Sequence, residues 1–371
     1  MKVQFLKPNL NETDIKEAAK VLKSGWITYG PKTKEFEEAL KKHFKVGGAV
    51  FNSSGTAALH VALIAAGVRP GDEVVTTPLS YVATSNVILY VGAKPIFVDV
   101  EPNTGLIDVA AVRRAITKKT KAIIPVHLYG QMADMKKLAA LAKKHNLAII
   151  EDAAHSLESK RDGIMSGQKS FAAAFSFHAA KNITSGEGGA VVCKDPHVEE
   201  ILRLLCEGGV AKGGGKRWME LLGYKYSGTN FQAALLVNQM KRLDSNLKKR
   251  EKIWKAYAQG LRGVKGLSFP KLIPGAKSAY HMFVIWVDPD KRDKLRSKLA
   301  DLGVETSIHF NPIHLEPYYR KEFKYKPGMF PVAERLGFST ITLPLYPDLT
   351  TAQQNYVIRS VKKVIDESYA A

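Results

Sequence analysis

Lys181 stands in the run Ser176-Phe-His-Ala-Ala-Lys181-Asn-Ile-Thr-Ser-Gly186-Glu-Gly188-Gly189. Small and hydroxyl residues around a lysine, followed by clustered glycines, read as a crowded turn rather than a solvated charge. Apolar Ala172–Phe177 predicts a buried strand into that turn, and Gly189–Cys193 a strand out of it. A lysine delivered there suits Schiff-base chemistry with an aldehyde. With an ordinary pKa of ~10.4, only about one such amine in 2,500 is neutral at pH 7. The competing reading is a lysine paired with a buried carboxylate.

Two further segments carry chemistry. Asn52-Ser-Ser54-Gly55-Thr56-Ala-Ala-Leu follows one apolar run and opens a helical one. Hydroxyls and a glycine backbone at a helix start make a seat for phosphate, although Ser and Thr are also ordinary N-caps. Glu151-Asp152-Ala-Ala-His155 comes straight after the apolar run Leu147–Ile150. An acid at the carboxyl end of a parallel strand lies where open α/β sheets bind ligands, and Asp152 could hold a pyridine nitrogen protonated. Its alternative role is a helix N-cap. A phosphate seat, a strand-end carboxylate and a strand-end lysine together describe a pocket for pyridoxal 5′-phosphate.

These residues need a scaffold, and the pattern supplies one. From about residue 46, short β-rich runs alternate with helical ones: strands over Val46–Phe51, Glu73–Thr76, Pro95–Val98, Lys121–His127 and Leu147–Ile150. Helices are predicted over Thr56–Ala66, Tyr81–Val91 and Met132–His145. This is an α/β sheet domain. The stretch Gly208–Lys216 reads as a glycine-rich loop, and Gln232–Leu261 as long basic helices. Strands over Tyr280–Val287 and Thr306–Phe310, with helices over Asp290–Leu302 and Gln353–Glu367, predict a smaller α+β domain. The division expected is 1–245 and 246–371.

Composition narrows the classes. The 371 residues are 45% hydrophobic and 24% charged, ordinary for a globular protein of two domains. Two cysteines, Cys193 and Cys206, imply no disulfide framework, and the ten histidines show no metal-ligand spacing. Neither a signal peptide nor a membrane-spanning run is expected, so cytoplasm is the default. The net charge of +20 is large. Its clusters, Lys41-Lys42, Lys118–Lys121 and Lys248-Lys-Arg250, are not interleaved with aromatics and read as solvated surface, which argues against nucleic acid as a partner.

The chain resembles the DegT/DnrJ/EryC/StrS family of nucleotide-sugar aminotransferases. Trp26-Ile-Thr-Tyr29-Gly-Pro31, Ser54-Gly-Thr-Ala-Ala, Gly71-Asp-Glu-Val, Pro95-Ile-Phe-Val-Asp99 and Pro125-Val-His-Leu-Tyr-Gly-Gln131 carry the likeness. So do Glu151–His155, the Lys181 segment, Ile308-His-Phe-Asn-Pro312 and Leu343-Pro-Leu-Tyr-Pro347. The resemblance implies an aspartate-aminotransferase-like fold (fold type I), with a large mixed-sheet α/β domain and a smaller C-terminal α+β domain. It implies pyridoxal 5′-phosphate held covalently by Lys181, with Asp152 at the pyridine nitrogen. Ser54, Gly55, Thr56 and Ser176 would hold the phosphate, Tyr81 would stack on the ring, and His155 would lie near the 3′-oxygen. Members with histidine at position 181 dehydrate a sugar; lysine favours transamination.

Further implications concern partners and substrates. The active unit would be a homodimer with shared sites, taking L-glutamate and a keto-sugar on a nucleoside diphosphate. His178 is either a phosphate neighbour or a structural residue. Lys225 stands where members carry an asparagine that reaches the neighbouring subunit's phosphate, and Ser227 where they carry arginine; both are candidates for that contact. Gly208-Gly209 replaces a common His-Gly pair. Tyr29, His309 and His314 are substrate-site candidates, while Lys32, Lys212, Lys216 and Arg217 could steer a diphosphate or serve as plain surface charge. Glu151–His155 with Phe175–His178 leans toward amination at C4 of a 4-keto-6-deoxy sugar for lipopolysaccharide or another cell-surface glycan. Amination at C3, or of an aminocyclitol ketone, would use the same residues. A non-catalytic regulatory protein on the same fold is the reading from another class.

Overall fold

A computed structural model describes residues 1–213 and 216–369, with side chains throughout except at 212, 213, 216 and 217. The apolar runs form a seven-stranded sheet of β1 (Gly48–Asn52), β2 (Glu73–Thr76), β3 (Lys94–Phe97), β4 (Thr120–Ile123), β5 (Ala148–Asp152), β6 (Ala172–Ser176) and β7 (Gly189–Cys193), ordered β1-β7-β6-β5-β4-β2-β3. Only β7 is antiparallel to its neighbours. The other six therefore end at one edge, which brings Asn52, Asp152 and Ser176 together. β1, β7 and the first four residues of β6 are buried throughout, as expected of strands covered on both faces.

The helix Gly55–Ala65 lies on one face, packed with Val50, Ile150, Ala174 and Val191. Its N-terminus points at the functional edge because Ser54 caps it, accepting the Ala57 N–H at 3.1 Å. The other face carries Phe36, Leu40 and Phe44 of the helix Pro31–Phe44, packed on Phe51, Phe175 and Phe177. That helix and Glu12–Ser24 were not foreseen, although Asn11 and Asp14 form a capping box at the start of the latter.

Two expectations fail. Val210–Gly213 (β8) and Lys216–Met219 (β9) pair as antiparallel strands where a loop was predicted. Thr306–Phe310 is not a strand: Ser307 alone bridges to Thr342. There the chain leaves the sheet, with the Tyr129 hydroxyl donating to the His309 carbonyl at 2.6 Å. The short sheet of β10 (Phe283–Trp286) and β11 (Thr340–Leu343) anchors a separate core with the helices Leu243–Leu261, Arg292–Asp301 and Thr351–Tyr369.

We propose that the chain divides near residue 245. Leu243 packs with Phe175 and Phe177, whereas Ile253, Tyr257 and Leu261 of the same helix pack with Phe283 and Val361. Val3 joins the second core, so the N-terminus returns to the smaller unit. Among the described residues, no helix is long and apolar enough to cross a membrane.

Gly189 is where the edge is tightest. It pairs in register with both Asn52 and Ser176, and a Cβ there would meet the Ser54 carbonyl carbon at 2.3 Å. Gly189→Ala should therefore push the Ser54–Thr56 turn off the sheet and cost about 1–3 kcal/mol. Chemical denaturation of the cofactor-free protein checks this, and unchanged stability would contradict the contact.

Candidate active site

Lys181 follows β6 by one tight turn, its N–H donating to the His178 carbonyl at 2.9 Å. Its amine faces a cleft of about 1190 Å³ lined by Ser54, Gly55, Thr56, Tyr81, Asp152, His155, Ser176, His178, His309 and Phe310. Burial pushes the Lys181 pKa down to about 8, and the Asp152 carboxylate works against that shift. With a pKa of about 8, roughly one amine in ten is neutral at pH 7. The sequence alone gave no hint of this shift.

Asp152 is nearly buried at the end of β5. The Thr84 hydroxyl donates to Oδ2 at 2.7 Å, and the Ala154 N–H to Oδ1 at 3.2 Å. Thr84 and Ser80, whose hydroxyls lie 2.7 Å apart, went unrecognised, although they stand in the Ser80–Thr84 run that carries Tyr81. β5 is fixed one residue earlier. Buried Glu151 meets His127 Nε2 at 2.6 Å and accepts from the Gly167 N–H at 2.8 Å and Ser170 Oγ at 2.5 Å. The Ala133 N–H donates to His127 Nδ1, so the His127 proton sits on Nε2.

At the cleft's other end, Ser54, Gly55, Thr56 and Ser176 surround one hollow. A Cβ on Gly55 would meet Ser176 Cβ at 2.9 Å, so the glycine keeps the hollow open. Tyr81 is exposed, its ring 6.0 Å from that of Phe310. His155 stacks between Phe310 at 6.0 Å and His281 at 4.4 Å, and its Nδ1 is buried without a partner among the described residues. Burial and the Lys181 charge push its pKa well down. His309 meets Thr342 Oγ1 at 2.9 Å through Nδ1, and burial lowers it to about 3. His178 is exposed on the rim; the Ala180 N–H donates to its Nδ1 at 3.2 Å.

Not every expected residue reaches this cleft. His314 is wholly buried 2.9 Å from Glu334 and packs edge-on against Phe330, which makes it a core residue. The Tyr29 hydroxyl donates to Glu37 at 3.0 Å and accepts from Arg203 at 2.9 Å, outside the cleft of its own chain. Ser227 Oγ donates to the Cys206 carbonyl, and Lys225 is exposed beside its bridge to Glu207. Neither lines this chain's cleft. Lys32 is spent on Glu35 and Glu17. The side chains of Lys212, Lys216 and Arg217 lie outside the described residues.

The sequence pattern of the DegT/DnrJ/EryC1/StrS aminotransferase family matches residues 8–362. The chain belongs to that family. It is 37% identical over 372 residues to the spore coat polysaccharide biosynthesis protein SpsC of Bacillus subtilis, covering 96% of each. It is 35% identical to UDP-4-amino-4-deoxy-L-arabinose–oxoglutarate aminotransferase of Shewanella sediminis, covering 97% of each. A structure of Streptococcus pneumoniae Spr1654, assigned as a sugar aminotransferase and in its PMP form, superposes with a TM-score of 0.95 at 31% identity. That match covers 100% of this chain and 99% of the other. The fold is that of the fold type I enzymes, and the chain is a sugar aminotransferase.

Transamination in this family runs on pyridoxal 5′-phosphate. The residues fit that group: a hollow only glycine keeps open, an amine with a lowered pKa, a facing carboxylate and an unpartnered His155 nitrogen. Capture of pyridoxal 5′-phosphate by stripped protein should reflect the neutral Lys181 amine. Because the pKa falls to about 8, the rate should rise from pH 6 to 8 and flatten above about 9. Absorbance-monitored rates still climbing past pH 10 would contradict a depressed amine.

Proposed function

We propose that the enzyme moves an amino group from L-glutamate to a keto-sugar on a nucleoside diphosphate, at C4 of a 4-keto-6-deoxy sugar, for a cell-surface glycan. One observation carries the reading: Lys181 and Asp152 converge on the same cleft as the Ser54–Thr56 and Ser176 hollow. The C4 choice is supported by the name of the Shewanella sediminis relative, a 4-amino sugar enzyme. SpsC, by its name, serves polysaccharide synthesis.

When bound, the cofactor supplies an electron sink that stabilises negative charge at the donor's α-carbon. The chain's residues do the rest. Lys181 Nζ, neutral in an appreciable fraction near pH 8, takes the proton from the α-carbon and returns it elsewhere. Asp152 holds a proton on the ring nitrogen, with Thr84 fixing its second oxygen. His155 offers its unpartnered Nδ1 to the cofactor, and the hydroxyls of Ser54, Thr56 and Ser176 with the Gly55 N–H take the phosphate. Tyr81 covers the ring. His309 faces the substrate with a neutral imidazole.

The active unit in this reading is a homodimer. Exposed Trp26 and Ile27 flank Tyr29, and Trp218, Met219 and Leu222 expose more apolar surface near the hairpin than a free face favours. Tyr29, Lys225 and Ser227 would then serve the neighbouring subunit's site.

Asp152→Asn should cut turnover by about a hundredfold or more and weaken cofactor retention, since the ring nitrogen loses its counter-charge. Lys181→Ala should abolish turnover. Near-normal kinetics in either variant would contradict the roles given. The substrate is tested with ¹⁵N-labelled L-glutamate and a panel of nucleotide keto-sugars, locating the label by NMR. Label at C4 supports the reading. Label at C3, or acceptance of a cyclitol ketone alone, replaces it.

A further inference from the structure

A second cavity, of about 570 Å³, shares Ala180, Lys181 and Met282 with the cofactor cleft. Arg250, His281 and Lys7 also line it. Arg250 and His281 are only 2% and 5% exposed, yet Arg250 Nη1 and His281 Nε2 have no partner among the described residues. Leaving such groups unpaired costs about 1–3 kcal/mol each, more for the charged one. A pair of orphans in one cavity beside a reactive lysine calls for a ligand.

Their orientation is fixed from behind. Arg250 gives Nη2 to Glu158 and Nε to the Ala279 carbonyl, which leaves Nη1 free. The other Glu158 oxygen accepts from Asn182 Nδ2 at 2.8 Å, so Asn182 Oδ1 faces His281 Nδ1 at 2.9 Å. His281 therefore carries its proton on Nδ1 and presents a lone pair at Nε2. The complementary ligand is an acceptor for a guanidinium N–H joined to a donor for an imidazole nitrogen.

An α-amino acid has that shape. Its amine must reach the position that Lys181 holds, and its carboxylate oxygens lie about 3 Å from that amine by covalent geometry. The carboxylate must be met close to Lys181. Among the described residues, and apart from Lys181 itself, Arg250 and Lys7 are the lysine and arginine side chains lining either cavity, and Lys7 is exposed. A guanidinium is the side chain that recognises carboxylate with directed N–H groups.

We propose that Arg250 Nη1 forms the subsite for the α-carboxylate of the amino donor, while His281 Nε2 accepts a hydrogen bond from the donor's α-ammonium group. The proposal rests on the aminotransferase reading above. Arg250 holds the carboxylate and His281 the ammonium group. Glu158 neutralises Arg250 in the resting protein, so the recognition is by hydrogen-bond geometry more than by net charge.

Arg250→Lys keeps the charge and the Glu158 pairing but loses the fork. In holoenzyme, the L-glutamate concentration for half-maximal conversion to the amine form should rise tenfold or more. The second half-reaction, driven by keto-sugar from the amine form, should change less than twofold. Calorimetric binding of glutarate, a dicarboxylate without an amine, should weaken tenfold or more. Unchanged glutamate and glutarate affinities, or equal damage to both half-reactions, would overturn the subsite. If the variant does not fold, a crystal structure of wild-type holoenzyme with glutarate decides. A carboxylate on Arg250 Nη1 supports the proposal; only water there, with glutarate elsewhere or absent, overturns it. Wild type that converts with no amino acid at all would instead contradict the aminotransferase reading.

Discussion

Burial of one lysine amine against one carboxylate is the constraint that organises this protein. Lys181 must lose enough hydration to shed its proton near pH 8, which an exposed lysine does not do. It must also stay within the field of Asp152, which favours the charged form. Burial alone would carry the pKa further down, and the carboxylate limits that fall. The amine can then bond covalently and also shuttle a proton, since both protonation states are populated near neutrality.

The sheet makes that balance possible. Six strands ending at one edge put an acid, a lysine turn and a phosphate hollow on separate elements that share a rigid frame. Strand ends hold side chains more firmly than a free loop does. Buried charges in the frame are paired rather than exposed: Glu151 with the His127 imidazole beneath Asp152, and Glu158 with Arg250 behind Asn182. Breaking a buried pair by removing one partner costs about 3–5 kcal/mol. The frame is therefore intolerant of single changes, and Met282, His309 and Phe310 from the C-terminal part of the chain complete the cleft wall.

Much of this was legible in the sequence because it is local. The Lys181 turn, Ser54 at a helix start and Asp152 at a strand end each follow from a handful of adjacent residues. The central strands fell where apolar runs placed them. Residues whose roles depend on distant partners were misread. Arg250 sits in the basic run Lys248-Lys-Arg250 and looked like solvated charge; only folding brings it to Glu158, 92 positions away. His314 matched a pattern, but folding buries it in the core with Nε2 on Glu334. Within its own chain the Tyr29 hydroxyl meets Glu37 and Arg203, so its proposed substrate role falls to the neighbouring subunit's site. His281, inside the apolar run Ala279–Val287, was the signal most open to notice, because a histidine in a buried strand segment needs a reason.

The account rests on Lys181 and Asp152 holding one cofactor that accepts an amino group. The visible absorption spectrum of purified protein, taken before and after L-glutamate in the absence of any sugar, tests that most directly. A yellow band that gives way to the amine form, and returns when a keto-sugar is added, is the predicted result. No band after incubation with pyridoxal 5′-phosphate, or a band indifferent to every amino donor, would contradict it and leave a fold kept without its chemistry.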